Sequence, residues 1–355
     1  MIEPEPPPEE PRAGAPRGNG AAVKMAADLS LPLAQRLEAF EDFIDSEVGD
    51  TPLMRARNLE REFGLRQLYL KFEGPNPTGT QKDRIAFHQA MDALRRGFDT
   101  ITVATCGNYG MATAFAAATC GLNCQIYIPT TYHPKRLREL SGLATAIHRV
   151  EGDYEAAVVH SQQMAEQYDW YDANPGGSNT PLQLASYGGI SYEVYDELRD
   201  APLALAVPVS NGTTLAGIYR GFLSLYRRGK TSRMPHLVAG STFRKNPIVR
   251  AFIKGSAQCE DLKPEEIRGS KINEPLVNWH AIDGNHALDA VRNTGGWASD
   301  VADKAMASFS KLLRDKEGVH VLPASTAGLI ALVHRHEKEP LANDRYVAVL
   351  TGRNA

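Results

Sequence analysis

Residues 74–84 hold the side chain with the clearest chemical potential in this sequence, the amine of Lys82. The segment reads Gly-Pro-Asn-Pro-Thr-Gly-Thr-Gln-Lys-Asp-Arg, and Lys82 stands at the predicted start of a helix. A helix N-terminus and burial both disfavour a positive charge, so we expect Lys82 to shift towards its neutral amine. The neutral amine is the form that Schiff-base chemistry needs. A surface lysine paired with Asp83 is the simpler interpretation of this segment taken alone, and both interpretations stay open.

A second loop, residues 105–110, reads Thr-Cys-Gly-Asn-Tyr-Gly and opens a helix of small residues. Its exposed amides and the helix dipole predict an anion site that suits a substrate carboxylate. Its candidate substrate contacts are Thr105, Cys106, Gly107 and Tyr109, and Asn108 could add a hydrogen bond to a bound ring. An ordinary capped turn explains the same residues. Cys106 is more simply a packed thiol than a nucleophile, because no histidine accompanies it in a catalytic pattern.

A third loop, residues 209–214, reads Val-Ser-Asn-Gly-Thr-Thr and follows an apolar strand. Backbone amides at the start of the next helix, together with two hydroxyl groups, could cradle a phosphate. The candidate contacts are Ser210, Asn211, Gly212, Thr213 and Thr214. The loop matches neither the dinucleotide fingerprint nor the nucleotide P-loop, so taken alone it is a weak signal.

The elements around these loops alternate between strands and helices. Apolar runs typical of strands occupy residues 68–72, 100–104, 125–128, 203–207, 236–239 and 346–350. Helical patterns occupy residues 83–96, 108–120, 154–167, 186–198 and 214–226. Such alternation predicts an α/β fold with a mainly parallel sheet and helices on both faces. Ligands of these sheets bind beyond the carboxyl ends of the strands, where all three loops fall.

The composition excludes several classes of protein. The 355 residues carry 39 basic and 42 acidic side chains, and a net charge of −3 predicts neither a nucleic-acid nor a membrane partner. Four irregularly spaced cysteines predict no disulfide scaffold, and a reducing cytoplasm is the expected location. No metal site is predicted, since His334 and His336 are two positions apart and cannot share a helical face.

The N-terminal segment differs in composition from the rest. Its first 20 residues contain six prolines, three glycines and four acidic residues. A chain of this kind buries too little apolar surface to offset its ordering entropy. We therefore expect residues 1–30 to form a disordered tail, with order beginning near Leu31.

The three loops together resemble the threonine synthase branch of the fold-type II pyridoxal-phosphate enzymes, from about Glu47 to Thr351. Five segments carry the resemblance: residues 49–53 (Gly-Asp-Thr-Pro-Leu), 68–84 (Leu-Tyr-Leu-Lys-Phe-Glu-Gly to Thr-Gln-Lys-Asp-Arg), 106–108 (Cys-Gly-Asn), 207–214 (Val-Pro-Val-Ser-Asn-Gly-Thr-Thr) and 317–325 (Glu-Gly-Val-His-Val-Leu-Pro-Ala-Ser). Residues 349–352, Val-Leu-Thr-Gly, resemble the family's terminal strand and turn.

The resemblance implies a role for each matched residue. Lys82 is implied to hold pyridoxal 5'-phosphate as a Schiff base and then to act as the general base. Asn108 is implied to contact the phenolic oxygen of the cofactor, and residues 210–214 its phosphate. The Thr351 hydroxyl is implied to face the pyridine nitrogen, with Ser325 as the alternative. A hydroxyl partner leaves that nitrogen largely unprotonated, which suits elimination and replacement reactions.

The sequence departs from the family at the site that binds the substrate phosphate. Tyr109 and Asp172 stand where threonine synthases have a threonine and a serine, and Gly177 stands where they have an arginine. A charge-assisted hydrogen bond to phosphate is worth about 1.5–3 kcal/mol, so losing the arginine and gaining a carboxylate disfavour a phosphorylated substrate. Asp172 thereby becomes a candidate substrate contact.

We therefore expect elimination or replacement at Cβ or Cγ of an amino-acid substrate. Three alternatives stay open: an authentic threonine synthase that acts on O-phosphohomoserine, a threonine or serine dehydratase, and a non-catalytic sensor of the cofactor or an amino acid. The resemblance also implies a homodimer of chains with two three-layer α/β/α domains. Residues 31–86 and 177–355 would form the large cofactor-binding domain, and residues 87–176 a small mobile domain.

Overall fold

The computed structural model describes residues 20–105, 107–130, 140, 142–143 and 145–354, and these fall into two compact units. The small unit comprises the described residues of Met1–Glu47 and Ala86–Asn174. The large unit comprises those of Val48–Ile85 and Pro175–Ala355.

Strands and helices alternate through most of the described residues. The strands are β1 (Leu53–Arg55), β2 (Leu68–Phe72), β3 (Thr100–Ala104), β4 (Asn123–Pro129), β5 (Thr145–Val150), β6 (Tyr171–Asp172), β7 (Ala204–Pro208), β8 (His236–Thr242), β9 (Trp297–Val301) and β10 (Tyr346–Leu350). The helices are α1 (Gly20–Ala27), α2 (Leu33–Glu47), α3 (Arg57–Phe63), α4 (Lys82–Arg95), α5 (Asn108–Cys120), α6 (Tyr154–Tyr168), α7 (Thr180–Leu198), α8 (Thr213–Arg227), α9 (Pro247–Lys254), α10 (Gly284–Asn293), α11 (Asp303–Glu317) and α12 (Ala327–Lys338). Short 3₁₀ turns occupy Pro264–Glu266, Glu274–Leu276 and Pro323–Thr326.

The sheet of the large unit has the strand order β1-β2-β10-β7-β8-β9. Strand β1 is antiparallel to β2, and the other neighbouring pairs are parallel. Strands β2, β10 and β7 are therefore adjacent and run in one direction. Their carboxyl ends meet at one edge of the sheet, and the loop leading to Lys82, residue Thr351 and the loop 209–212 follow them there.

Burial explains why these strands read as almost continuous apolar runs. Every residue of β7 and β10 is buried, as expected for parallel strands that are covered on both faces. Leu68 and Leu70 of β2 join Leu350 of β10 and Leu329 and Val333 of α12 in one hydrophobic cluster. This packing holds the strand ends, and so the loops beyond them, in fixed positions.

The sheet of the small unit has the order β5-β4-β3-β6, with all neighbours parallel. Helix α5 follows β3 directly, and most of its residues are small and buried. The prediction of an α/β fold with mainly parallel sheets is confirmed. None of the described helices is long and apolar enough to cross a membrane.

The structure corrects two predictions about the N-terminal part. Residues 20–27 form a helix, so the expected disorder up to residue 30 is wrong there; residues 1–19 lie outside the described residues. Ala22 and Ala26 are buried, and Arg36 Nε donates to Ala26 O at 3.0 Å, which ties α1 to α2.

Helix α2 belongs to the small unit, whereas residues 31–47 were expected in the large domain. The reason is aromatic packing, because the rings of Phe40 and Phe43 lie 5.8 Å and 5.5 Å from the ring of Phe87. The mobility expected of the small domain stays a prediction.

Candidate active site

The loop between β2 and α4 places Lys82 at the first position of a helix. The Asp83 carboxylate accepts hydrogen bonds from Thr78 N at 2.9 Å and Thr78 Oγ1 at 2.7 Å, which closes the turn. Asp83 is fully buried, and burial raises its pKa to about 7. These contacts rule out the simpler interpretation, in which Asp83 and Lys82 form an exposed surface pair.

The Lys82 amine has the electrostatic surroundings expected of a nucleophile. Burial lowers the pKa of Lys82 to about 8, while the negative charge of Asp283 acts in the opposite direction. Its Nζ lies 5.9 Å from the ring centroid of Tyr187. With a pKa near 8, about a tenth of the amine is neutral at pH 7 and about half is neutral at pH 8.

The Lys82 loop is joined to the turn after β10. Gln81 N donates to Thr351 O at 2.9 Å, and Arg353 N donates to Gly79 O at 2.9 Å. The hydroxyl oxygens of Ser325 and Thr351 lie 3.1 Å apart, and Ser325 Oγ is also 3.3 Å from Gly352 O. The two residues proposed as alternative partners of the pyridine nitrogen are thus neighbours, and their hydroxyls form one polar pair.

The loop 209–212 is held in place through its carbonyl groups. Ser241 Oγ donates to Val209 O at 2.6 Å, Asn246 Nδ2 to Ser210 O at 3.0 Å, and Asp283 N to Asn211 O at 3.0 Å. Within the described part of the chain, the backbone amides of residues 210–214 have no protein acceptor. These five amides and the start of α8 form a cup with the chemistry of an anion site.

Gly212 is required by the shape of this cup. Its φ of +93° is in the left-handed region, which a residue with a side chain rarely adopts. A Cβ at this position would lie 2.8 Å from Ala287 Cβ and 2.9 Å from Asp283 O. The wall of the cup therefore leaves no room for a side chain at residue 212.

One carboxylate also belongs to the cup. Thr213 Oγ1 donates to Asp283 Oδ2 at 2.5 Å. Asp283 is 2% exposed, and burial raises its pKa, whereas Thr213, His286 and Lys82 each act to lower it. Asp283 thus links the phosphate-type cup to the Lys82 amine electrostatically.

In the small unit, the loop after β3 is organised by Thr105. Thr105 Oγ1 accepts a hydrogen bond from Gly110 N at 3.2 Å, which caps the first turn of α5. Gly107 and Asn108 are partly exposed, whereas Cys106 lies outside the described residues. The substrate and cofactor roles expected for these residues stay predictions.

The Tyr109 side chain turns into the interior of the small unit. Its hydroxyl donates to Ala173 O at 2.7 Å and accepts a hydrogen bond from Gln89 Nε2. Tyr109 is 9% exposed, so the phenol mainly braces the helix against β6. A direct contact between Tyr109 and a substrate stays a prediction.

The Asp172 carboxylate forms hydrogen bonds with a residue close to it in the sequence. Its Oδ1 accepts hydrogen bonds from Asn174 N at 2.9 Å and Asn174 Nδ2 at 2.6 Å. Asn174 Oδ1 in turn accepts from Ala104 N at 2.8 Å, at the end of β3. Burial raises the pKa of Asp172. The carboxylate therefore helps to shape the end of β3, and its contact with a substrate stays a prediction.

Two residues of the large-unit site were not among the sequence-based candidates, namely Asp283 and Tyr187. Asp283 precedes helix α10 in the segment Ala-Ile-Asp-Gly, and an acidic residue before a helix commonly serves as a cap. Tyr187 lies within a helix and precedes two glycines, which are the only local sign of close packing. Their proximity to Lys82 comes from tertiary contacts.

Comparisons with known proteins agree with this architecture. Residues 44–352 match the family model described as pyridoxal-phosphate dependent enzyme. The chain is 31% identical to a threonine synthase of Methanocaldococcus jannaschii, over 86% of this chain and 74% of that protein. It is 27% identical to a threonine synthase of Methanosarcina acetivorans, over 90% of this chain and 77% of that protein.

Among solved structures, maize serine racemase superposes with a TM-score of 0.73 at 19% sequence identity. The match covers 90% of this chain and 92% of the racemase, and it supports the fold. Together with the family match over most of the chain, these relationships identify the protein as a member of the pyridoxal-phosphate-dependent enzyme family, with fold type II.

Proposed function

We propose that this enzyme catalyses elimination or replacement at Cβ or Cγ of an amino acid, with Lys82 as the residue that binds the cofactor and moves the proton. The supporting observation is the position and the pKa of the Lys82 amine. Burial lowers this pKa to about 8, and the amine lies at the sheet edge that also holds the cup of residues 210–214 and the hydroxyl pair of Ser325 and Thr351. A base whose pKa lies near the working pH is unprotonated in a useful fraction of molecules and is still strong enough to remove a proton.

The residues present fit pyridoxal phosphate. The amides of residues 210–214 offer unused donors for its phosphate, and Lys82 offers an amine for its aldehyde. The hydroxyl pair of Ser325 and Thr351 offers a neutral partner for its pyridine nitrogen. By the family resemblance, Asn108 is the proposed contact for its phenolic oxygen.

The chemistry that the bound cofactor supplies is electron withdrawal from Cα of an attached amino acid. The neutral Lys82 Nζ accepts the proton from Cα, and the resulting ammonium can return a proton to a leaving group or to the product. The neighbouring Asp283 carboxylate favours the charged form of Lys82, so it stabilises the proton once Nζ has accepted it. A hydroxyl partner keeps the ring nitrogen neutral, which suits elimination.

We infer that the substrate side chain carries no phosphate. Gly177 offers no cation where related enzymes place an arginine, and Asp172 adds a partly buried carboxylate. Thr105, Gly107 and Tyr109, with Cys106, remain the proposed substrate contacts at the start of α5. The proposal includes a cytoplasmic homodimer, and the buried free thiols of Cys120 and Cys124 are compatible with a reducing compartment.

A second candidate is threonine synthesis from O-phosphohomoserine. It is supported by the names of the curated relatives, which are threonine synthases at 26–31% identity. This candidate requires that cations other than residue 177 bind the substrate phosphate. A dehydratase acting on serine or threonine would use the same large-unit machinery.

One panel of substrates separates these candidates. The reconstituted enzyme is mixed with serine, threonine, O-acetylserine, homoserine or O-phosphohomoserine, and cofactor absorbance, ammonia, phosphate and new amino acids are measured. The proposal predicts turnover of an unphosphorylated substrate and no turnover by Lys82→Ala. Rapid threonine and phosphate release from O-phosphohomoserine would overturn the substrate inference, and binding without turnover of any amino acid would favour a sensor.

A further inference from the structure

Tyr187 is a phenol buried in the large unit, and its hydroxyl makes no hydrogen bond of standard geometry to another described residue. The side chain is 0% exposed, although the Thr214 side chain lies near enough to Oη to influence it as a hydrogen-bond partner. Burying a hydroxyl that makes no hydrogen bond costs free energy, so native proteins seldom retain one without a use. This residue therefore calls for a ligand atom that accepts a hydrogen bond from its hydroxyl.

Close packing of α7 against α8 sets the position of Tyr187. A Cβ at Gly217 would lie 2.6 Å from Tyr187 Cβ, and a Cβ at Gly221 would lie 2.6 Å from Gly188 O. Only glycine on α8 permits this approach. It brings Tyr187 against the first turns of α8, next to the cup of residues 210–214.

The charged and polar groups around Tyr187 are those of the cofactor site. Lys82 Nζ lies 5.9 Å from the centre of its ring. Burial raises the pKa of Tyr187, and hydrogen bonding with the side chain of Thr214, in the cup, acts to lower it. Glu73 and Asp83 raise that pKa further, whereas Arg84 lowers it. The phenol therefore stays protonated at neutral pH and can act only as a donor towards an anion.

We propose that Tyr187 Oη donates a hydrogen bond to the phosphate group of the cofactor in the 210–214 cup. This inference rests on the proposed function, which assigns the phosphate to that cup. The amides of the cup supply donors from one side, and Tyr187 supplies a side-chain donor from helix α7. The free energy lost by burying an unpartnered phenol in the apo-protein is recovered when the phosphate binds.

The test compares Tyr187→Phe with Tyr192→Phe, a matched control on the exposed side of the same helix. Each apo-protein is titrated with pyridoxal phosphate and with pyridoxal, which lacks the phosphate. We expect Tyr187→Phe to weaken pyridoxal phosphate binding by about tenfold, as for the loss of one hydrogen bond to a charged group. Pyridoxal binding should stay unchanged, and Tyr192→Phe should alter neither.

Thermal unfolding gives a second readout that needs no catalysis. Apo Tyr187→Phe should unfold at a higher temperature than the apo wild type, because the unpartnered hydroxyl is gone. Its stabilisation by saturating pyridoxal phosphate should be smaller than that of the wild type. A residue that only fills space would not change these two values in opposite directions.

The outcomes distinguish this inference from the proposed function. An unchanged affinity ratio for the two ligands, or an equal loss for both, overturns the Tyr187 contact alone. If the ratio of the two affinities depends on Tyr187 but the protein turns over no amino acid, the result supports the contact and overturns the proposed activity. A wild type that binds neither ligand overturns both.

Discussion

The Thr213 hydroxyl donates a hydrogen bond of 2.5 Å to the buried carboxylate of Asp283 at the rim of the amide cup. Asp283 also raises the pKa of Lys82, so one carboxylate influences both the anion site and the nucleophile. A bound phosphate would introduce negative charge beside Asp283. The charge of this residue therefore opposes phosphate binding while it supports protonation of Lys82.

Asp283→Asn is expected to separate these two effects. Without the carboxylate, the pKa of Lys82 should fall below about 8, because the charge that acts against the effect of burial is gone. Reaction of the apo-protein with pyridoxal should then begin at lower pH. Removal of a like charge near the phosphate should strengthen pyridoxal phosphate binding by roughly tenfold.

Stopped-flow absorbance over a pH series measures the first effect, and equilibrium titration measures the second. Asp289→Asn is the control, because Asp289 is exposed on α10, the helix that Asp283 precedes. An unchanged pH midpoint in Asp283→Asn would show that Asp283 does not act on Lys82.

The hydroxyl pair predicts unequal effects of two conservative substitutions. If Thr351 faces the pyridine nitrogen, Thr351→Val should lower kcat by about tenfold and shift the absorbance of the bound cofactor. Ser325→Ala should have a smaller effect, since Ser325 then acts through Thr351, 3.1 Å away. The opposite order would assign the nitrogen to Ser325.

A buried ion cluster predicts how the stability of the large unit depends on pH. Arg84 binds Glu193 at 2.6 Å and Glu73 at 2.6 Å, and Lys71 binds Glu193 at 2.5 Å. Burial raises the pKa of Glu193, but the hydrogen bonds and charges of Arg84 and Lys71 outweigh it and lower the pKa to about 2. Because this value lies below the ordinary value of 4.5, the stabilisation is complete above about pH 4.5 and is lost as the pH falls towards 2.

Glu193→Gln should therefore reduce the free energy of unfolding by about 3 kcal/mol at neutral pH, because it leaves buried cations without their partner. Urea unfolding between pH 3 and 7 should show a flatter pH dependence in this variant than in the wild type. Asp196→Asn, at an exposed position on the same helix, should change neither value. Parallel pH curves for Glu193→Gln and the wild type would contradict the assignment.

Gly212 and Gly229 form a matched pair for testing the cup. Both have positive φ, +93° and +65°, but a Cβ would meet neighbours only at Gly212. Backbone strain of this kind costs about 1–3 kcal/mol, so Gly229→Ala should lose about that much stability and keep its cofactor affinity. Gly212→Ala should lose more stability and bind pyridoxal phosphate more weakly. Equal cofactor affinities in the two variants would argue against the cup as the phosphate site.

Local sequence signals were sufficient to locate the parts of the site that follow strands. The apolar runs located β2, β7 and β10, and each loop that follows one of them carries residues of the large-unit site. The pairing order β2-β10-β7, which brings those loops together, is a tertiary property. The family resemblance supplied the expectation that Lys82 and Thr351 act together.

The two missed residues of the large-unit site depend on contacts distant in sequence. Tyr187 approaches the cup only because glycines on α8 allow close helix packing. Asp283 reaches Thr213 across 70 positions of the chain. Helix α7 begins at Thr180, six positions before the predicted start at Ser186. The hydrogen bonds of Asp172 to Asn174, two positions away, were not predicted from the sequence, and its contact with a substrate stays a prediction.

The most direct test of the account is to locate the cofactor on the chain. The enzyme is reconstituted with pyridoxal phosphate, reduced with borohydride and digested, and the modified peptide is sequenced by mass spectrometry. We expect a phosphopyridoxyl group on Lys82 and no labelling of that peptide in Lys82→Arg. A label on another lysine, such as the buried Lys71, or no label at all would contradict it.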